Sequence, residues 1–195
     1  YDYKKGKFIK LHKDECDFTY RNSIFKNNTL IIYNINFITN YKNMLNLEYE
    51  SIKKYISTHN TNINNIKLKD ASVMITNIRN SILPNHLKIP NVGSFFKNSI
   101  VKIDDIDTTK HSLNELITWK IDSQFVKVGS ARLIDLIKDD LNKYENVNIY
   151  KNHSLVLITN SKASQEEVLN FADNIKQKVY EVFKISMDIE PTIIN

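Results

Sequence analysis

The sequence predicts an α+β protein with α/β-like layers, and three observations carry that prediction. Residues 165–183 hold Val168, Phe171, Ala172, Ile175, Val179 and Val182 at the spacing that puts them on one helical face. Residues 29–38, the run Thr-Leu-Ile-Ile-Tyr-Asn-Ile-Asn-Phe-Ile, are dense in the β-branched and aromatic side chains that suit a buried strand. Beyond residue 93, short strand-like and helix-like runs alternate, the order expected where helices cover the apolar face of a sheet.

Taken along the chain, the strand at 29–38 follows a polar turn at Lys26-Asn27-Asn28. Asp70 is placed to cap a helix with an apolar stripe of Ala71, Met74, Ile75, Ile78 and Ile82. That helix must stop before Pro84, because proline lacks the N–H and disfavours helix in the residue ahead of it. Residues 83–93 contain two of the three prolines and one of the three glycines, which makes them the place for a domain junction. Then follow a strand at 99–103, a short helix at 112–117, a helix at 131–141, strands at 147–150 and 155–158, and the helix at 165–183. Ser164 and Glu167 have the spacing of a reciprocal capping box at its start. There is no internal repeat and no low-complexity linker.

Composition removes several function classes. The 195 residues, 42% of them hydrophobic, suffice for one sizeable core or for one domain and part of another. Apolar runs such as 155–158 fall far short of the roughly 20 residues of a membrane helix, and no charged-then-apolar leader opens the chain. A cytoplasmic protein without a membrane partner is expected. Cys16 is the single cysteine, so neither an intrachain disulfide nor a Cys-x-x-Cys site can form. His12, His59, His86, His111 and His153 include no i, i+4 pair, and no metal site is expected. The net charge of +5 is spread along the chain, with no basic stripe interleaved with aromatics, so nucleic acid is not an expected partner. Gly6, Gly93 and Gly129 are too few and too scattered to write Gly-x-Gly-x-x-Gly or a phosphate loop. Any nucleotide has to be held in another way.

Five segments, in order, carry a family resemblance. Glu15-Cys16-Asp17-Phe18-Thr19-Tyr20-Arg21-Asn22-Ser23-Ile24-Phe25-Lys26 resembles the pattern Glu-Cys-x-Phe-x-Tyr-Arg-x-Ser-Ile-Phe-Lys of the flavin-dependent UDP-N-acetylenolpyruvoylglucosamine reductase (MurB) family. Leu83-Pro84-Asn85, followed by Asn91-Val92-Gly93-Ser94-Phe95-Phe96-Lys97-Asn98, is similar to its Leu-Pro-Asp and Asn-Ala-Gly-Ser-Phe-Phe-Lys-Asn-Pro. Residues 127–135 are similar to Lys-x-Ala-Ala-Gly-Trp-Leu-Ile-Asp, and Ser154-Leu155-Val156-Leu157-Ile158 to the strand Ala-Leu-Val-Leu-Ile-Asn. Met187-Asp188-Ile189-Glu190, after a long helix, resembles Leu-Glu-x-Glu. The resemblance runs over essentially the whole chain.

The resemblance implies a fold in which residues 1–82 end the second flavin-binding lobe, 83–185 form a substrate-binding domain, and 186–195 return to the flavin site. It implies FAD as cofactor and NADPH as hydride donor. It further implies UDP-N-acetylglucosamine enolpyruvate as the substrate, reduced in peptidoglycan precursor synthesis, and a monomer as the expected state. Hydride addition to the enolpyruvyl ether leaves a carbanion beside a carboxylate, which requires fixed donors for the charge and an acid for the carbon. Arg21 is the implied charge stabiliser, since a guanidinium can hold a carboxylate bidentately where lysine offers a point charge. Ser94 is the implied proton donor. Gly93 before it permits close backbone approach. Glu190 is the third group, working protonated or through a shared hydrogen bond beside the substrate carboxylate.

By the same resemblance, Tyr20, Arg21, Ser23 and Gly93 touch the cofactor, and Tyr49, Asn98, Trp119 and His153 touch the substrate. Tyr49 is the implied lid tyrosine over the diphosphate, with Tyr55 as its competitor. Trp119 falls where the family has a uridine-side tyrosine, and His153 at a position often occupied by Gln.

The chain also departs from the pattern. Ile82 stands where a lysine often contacts the diphosphate, and residues 129–135 read Gly-Ser-Ala-Arg-Leu-Ile-Asp. Residues 138–148 have no glycine, and Pro191 follows Glu190 directly. The family's Gly/Ser/Asn-rich flavin loop would lie upstream of the segment matched by residues 1–26. The expectation is therefore a piece of a longer reductase or the product of a truncated gene, with a non-catalytic remnant that binds at most the UDP-sugar as the alternative.

Overall fold

The computed structural model describes residues 1–26, 29–39 and 45–194. It contains two compact units, Tyr1–Leu45 and Asn46–Asn195. Asn27 and Asn28 of the expected turn lie outside the described residues.

The first unit is organised by one buried carboxylate. Asp2 Oδ1 accepts the N–H groups of Lys4 and Lys5, each at 3.1 Å, and the backbone of Asp2 bridges to Lys7 and to Leu30. These donors, the Lys5 N–H first, hold the Asp2 carboxyl below the usual range. A 3-10 turn, Lys13–Cys16, is closed by the Glu15 carboxylate on the His12 N–H at 2.8 Å, and Cys16 is buried beneath it.

The expected buried strand at 29–38 does not form. Leu30 alone bridges to Asp2, and Ile31 N donates to Tyr1 O at 2.8 Å. Beyond that the described residues join no ladder, with Tyr33 78% and Phe37 80% exposed. β-branched composition makes a segment fit to be a strand, but a strand needs a partner edge along its length. Among the described residues of this unit such an edge meets only the start of the run.

The second unit opens with two packed helices. Helix α1 (Glu50–Thr58) buries Ile52 and Ile56, and α2 (Leu68–Ile82) buries Ala71 and Met74. Asp70 is not the N-cap of α2. Lys67 holds that position, and the Asp70 carboxylate, one turn in, accepts the Lys67 N–H at 2.9 Å. The apolar stripe is narrower than its sequence, for Ile75 is exposed and Ile78 and Ile82 are half-buried. The helix ends before Pro84, as expected, with Leu83 N still bonded to Arg79 O at 2.8 Å.

The sheets are small and antiparallel. β1 (Ser99–Lys102), β2 (Thr118–Lys120) and β3 (Phe125–Val128) lie in the order β1-β3-β2, with Ser99 opposite Val128 and Trp119 opposite Lys127. The short helix expected at 112–117 is a 3-10 turn, Leu113–Glu115, in which Glu115 accepts the Ser112 N–H at 2.8 Å. Helix α3 runs Ser130–Ile137 and tightens into a 3-10 turn, Lys138–Asp140, one residue ahead of the expected start and shorter as an α-helix. β4 (Val147–Tyr150) and β5 (His153–Thr159) form a hairpin with an irregularity at Ile149/Tyr150.

Helix α4 spans Gln165–Phe183, as its periodicity predicts, and Ser164 Oγ accepts the Glu167 N–H at 3.0 Å. The expected return bond of the capping box is replaced. Glu167 instead accepts Asn146 N at 3.1 Å, which fastens α4 to the loop before β4. Val128, Leu133, Ile134, Val156, Ile175, Val179 and Phe183 are fully buried where α3, α4 and the two sheets meet. At about 1.5–3 kcal/mol for each large side chain, this core anchors the second unit.

Candidate active site

The second unit contains a ribbon that belongs to neither sheet. Residues 94–97 run beside β5, with Ser94 bridged to Val156 and Phe95 N donating to Leu155 O at 2.7 Å. On their other side lie residues 188–190. Phe96 bridges Ile189, Lys97 N donates to Asp188 O at 2.9 Å, and Glu190 N donates to Phe95 O at 2.9 Å. The side chains of Phe95 and Phe96 are buried in the core, so this ribbon is bolted to the hydrophobic interior.

That arrangement brings Ser94 and Glu190, 96 positions apart, onto bonded backbone segments, the Glu190 N–H meeting the carbonyl next to Ser94. Both are half-buried. The Ser94 hydroxyl has no hydrogen-bond partner among the described residues, so it is available to a ligand. Gly93 has φ +78°, a left-handed conformation that glycine adopts without cost, and a Cβ there would meet nothing within 4 Å. Its N–H is held by Asn91 Oδ1 at 3.0 Å. A shallow apolar groove of about 390 Å³, lined by Pro90, Val92, Phe95, Leu157 and Val168 among others, adjoins this turn.

The expected substrate residues of this unit occupy three further places. Asn98 Oδ1 accepts the Ser130 N–H at 3.1 Å, filling one of the open donors at the start of α3 and leaving the Asn98 amide group to donate. Trp119 lies half in solvent, with Lys127 Nζ 5.1 Å from its ring centre and Gly129 beneath it, where a Cβ would come within 3.4 Å of the indole. His153 Nδ1 accepts the Leu155 N–H at 3.3 Å, which puts the ring proton on Nε2 as a donor.

Tyr49 occupies the N-cap position of α1 and is 67% exposed. Beside it the Lys53 ammonium, 2.6 Å from Glu48, holds the Glu48 carboxyl below the usual range. Tyr55 is engaged within the helix pair, stacked on His59 at 4.0 Å and accepting from Asn77 Nδ2 at 3.1 Å. Ile82 is half-buried at the end of α2 and offers no charge.

In the first unit, Thr19 and Asn22 exchange backbone bonds of 3.1 and 3.2 Å around a tight turn with Tyr20 and Arg21 at its tip. Arg21 has φ +55°, a position that glycine or asparagine ordinarily takes in a turn. Its guanidinium carbon lies 5.7 Å from the centre of the Tyr20 ring. Ser23 is half-buried one residue beyond the turn.

Sequence reasoning passed over Ser99 and Ser130. Ser130 is fully buried, with Oγ donating to Lys97 O at 2.7 Å, and Ser99 Oγ donates to Ser186 O at 2.8 Å. The available signal was position: Ser99 directly follows the Asn91–Asn98 segment, Ser130 lies within residues 127–135, and each stands beside a run of core residues. Among the described residues no group of His, Cys, Asp or Glu could hold a metal, and no helix is long and apolar enough to cross a membrane.

Fold and site together define an α+β domain that presents a serine hydroxyl and a carboxylate from one core-anchored ribbon. Comparison with known proteins places that domain. Residues 84–194 match the family model for the UDP-N-acetylenolpyruvoylglucosamine reductase C-terminal domain, and the chain belongs to that family of reductases. It is similar to the UDP-N-acetylenolpyruvoylglucosamine reductase of Flavobacterium johnsoniae, 31% identical over 187 residues, which are 92% of this chain and 54% of the relative. The enzyme of that name from Bdellovibrio bacteriovorus is 31% identical over 180 residues, 91% of this chain and 52% of the relative. That of Buchnera aphidicola subsp. Schizaphis graminum is 30% identical over 197 residues, 98% and 55% respectively. The chain thus spans about half the length of the curated relatives it matches.

Proposed function

We propose that this chain carries the substrate-facing part of an FAD-dependent, NADPH-using reductase that converts UDP-N-acetylglucosamine enolpyruvate to UDP-N-acetylmuramate in peptidoglycan precursor synthesis. It acts in the cytoplasm as a monomer, without nucleic-acid or membrane partners. The observation that carries the reading is the ribbon that joins the Ser94 and Glu190 segments, inside a domain of the reductase family. Residues 1–82 are assigned to the flavin lobe, 83–185 to the substrate domain and 186–195 to the strand returning to the flavin. The compact units divide upstream of that functional boundary, after Leu45.

The residues present fit a flavin at one point. Gly93 combines a left-handed backbone with open space where a Cβ would stand, so a planar ring can approach its main chain. Tyr20, Arg21 and Ser23 are the further contacts assigned to it. When bound, the flavin supplies the hydride, which NADPH replenishes.

The chain's own residues do the rest. Hydride arriving at the terminal vinyl carbon leaves an electron pair on the carbon beside the carboxylate, delocalised into that carboxylate. The family resemblance assigns the growing charge on the two oxygens to the Arg21 guanidinium, a forked cation suited to a carboxylate. The Ser94 O–H gives its proton to the carbon, and the resulting alkoxide is reprotonated from solvent. Glu190 shares a hydrogen bond with the substrate carboxylate. Asn98, His153 Nε2 and Trp119 bind the UDP-sugar. Tyr49 is the lid residue, favoured over Tyr55 by its exposure and by the contacts that already occupy Tyr55.

The test is turnover by the complete protein with FAD. NADPH is expected to be consumed only when the enolpyruvyl substrate is added, one equivalent for each UDP-N-acetylmuramate formed. UDP-sugar binding without turnover would instead identify a non-catalytic remnant.

A further inference from the structure

We propose that Ser99 is a positioning residue that pins the register of the ribbon carrying Ser94 and Glu190. This inference rests on the catalytic reading above only for its consequence, not for its geometry. The backbone bonds of the ribbon pair residue 95 with 190, 96 with 189 and 97 with 188. Continuing outward in the same register brings Ser99 opposite Ser186, where the bond is made by a side chain, Ser99 Oγ to Ser186 O at 2.8 Å. Ser99 is buried and at that point already belongs to β1, paired with Val128 of β3.

The bond matters because backbone ladders are indifferent to sequence. Sliding residues 186–190 by one position would restore equivalent N–H to O=C bonds but present the wrong face of the segment, moving Glu190 away from Phe95. A hydroxyl fixed in β1 recognises one carbonyl only, and a slip would leave it buried without an acceptor. Ser130 steadies the same strand from the other side, its hydroxyl on Lys97 O and its N–H on Asn98 Oδ1. The resembling family pattern has proline after this asparagine, a residue stiff in φ but without a hydroxyl, so the pin belongs to this chain.

The experiment compares two variants of nearly equal shape, Ser99→Thr, which keeps the hydroxyl, and Ser99→Val, which does not. Amide hydrogen exchange is read at Lys97 and Glu190, with α4 as the internal reference. The Thr variant is expected to match wild type. The Val variant is expected to exchange about tenfold faster at those two amides, with α4 unchanged. In the complete flavin-loaded protein, Ser99→Val should reduce the enolpyruvyl substrate about tenfold more slowly and leave flavin reduction by NADPH unaffected. Equal exchange in the Thr and Val variants, or acceleration of α4 alongside the ribbon, would overturn the pin. Failure of the wild-type protein to turn over would refute the catalytic reading, while the exchange comparison would still decide the role of Ser99.

Discussion

Replacing Gly93 with alanine separates a conformational requirement from a steric one. At φ +78° a side chain is strained whatever the surrounding space, and here the space is open, since a Cβ would meet nothing within 4 Å. The cost is therefore the left-handed backbone alone, about 1–2 kcal/mol. Gly129→Ala is the control. Gly129 has φ −73°, and its Cβ would reach only ordinary contact, 3.4 Å from Ile117 and Trp119. There the loss of chain entropy in the unfolded state roughly offsets the poorer N-cap, for a net change within about 0.5 kcal/mol. Thermal unfolding followed by the fluorescence of Trp119, the sole tryptophan, reads both variants in the same unit. Gly93→Ala should lower the melting temperature by about 2–8 °C and Gly129→Ala by about 2 °C at most. Equal stability of the two variants, or the reverse order, would refute the reasoning about the turn before Ser94.

Two further outcomes follow from the first unit. Arg21→Lys should lower substrate turnover by about 10- to 100-fold, because an ammonium cannot replace a forked pair of charge-assisted bonds; steady-state kinetics near wild type would make Arg21 an ordinary turn residue. Asp2 is ionised more readily in the folded state than in the unfolded chain, so its contribution to stability is complete above the unfolded value of about 3.9 and is lost as pH falls through the lower folded value. The Lys4 and Lys5 amide resonances should therefore hold above about pH 4 and move below it, and the movement should vanish in Asp2→Asn. Movement starting near neutral pH would contradict the assignment.

What was legible in the sequence was what local physics determines. Helix α4 could be read from end to end because its apolar residues repeat with the helical period and Ser164 supplies an unambiguous cap. The strands expected at 99–103, 147–150 and 155–158 form as Ser99–Lys102, Val147–Tyr150 and His153–Thr159. β2 and β3 were missed because three- and four-residue strands set no period, and α1 because its buried face amounts to Ile52 and Ile56. The run at 29–38 has a strand's composition, yet pairing depends on a partner edge that composition does not specify. At the site, motif spacing pointed to Ser94 and Glu190 but not to the ribbon between them, whose bonds are backbone bonds and leave no trace in residue type. Ser99 and Ser130 were invisible for a related reason: a serine's value lies in which distant carbonyl it meets.

The central claim is that the Ser94 hydroxyl delivers the proton. Stopped-flow kinetics on the complete flavin-loaded protein separate flavin reduction by NADPH from reduction of the enolpyruvyl substrate. In Ser94→Ala the first half-reaction should keep its wild-type rate and the second should slow by about 10² to 10⁴. A second half-reaction at the wild-type rate would remove Ser94 from the chemistry.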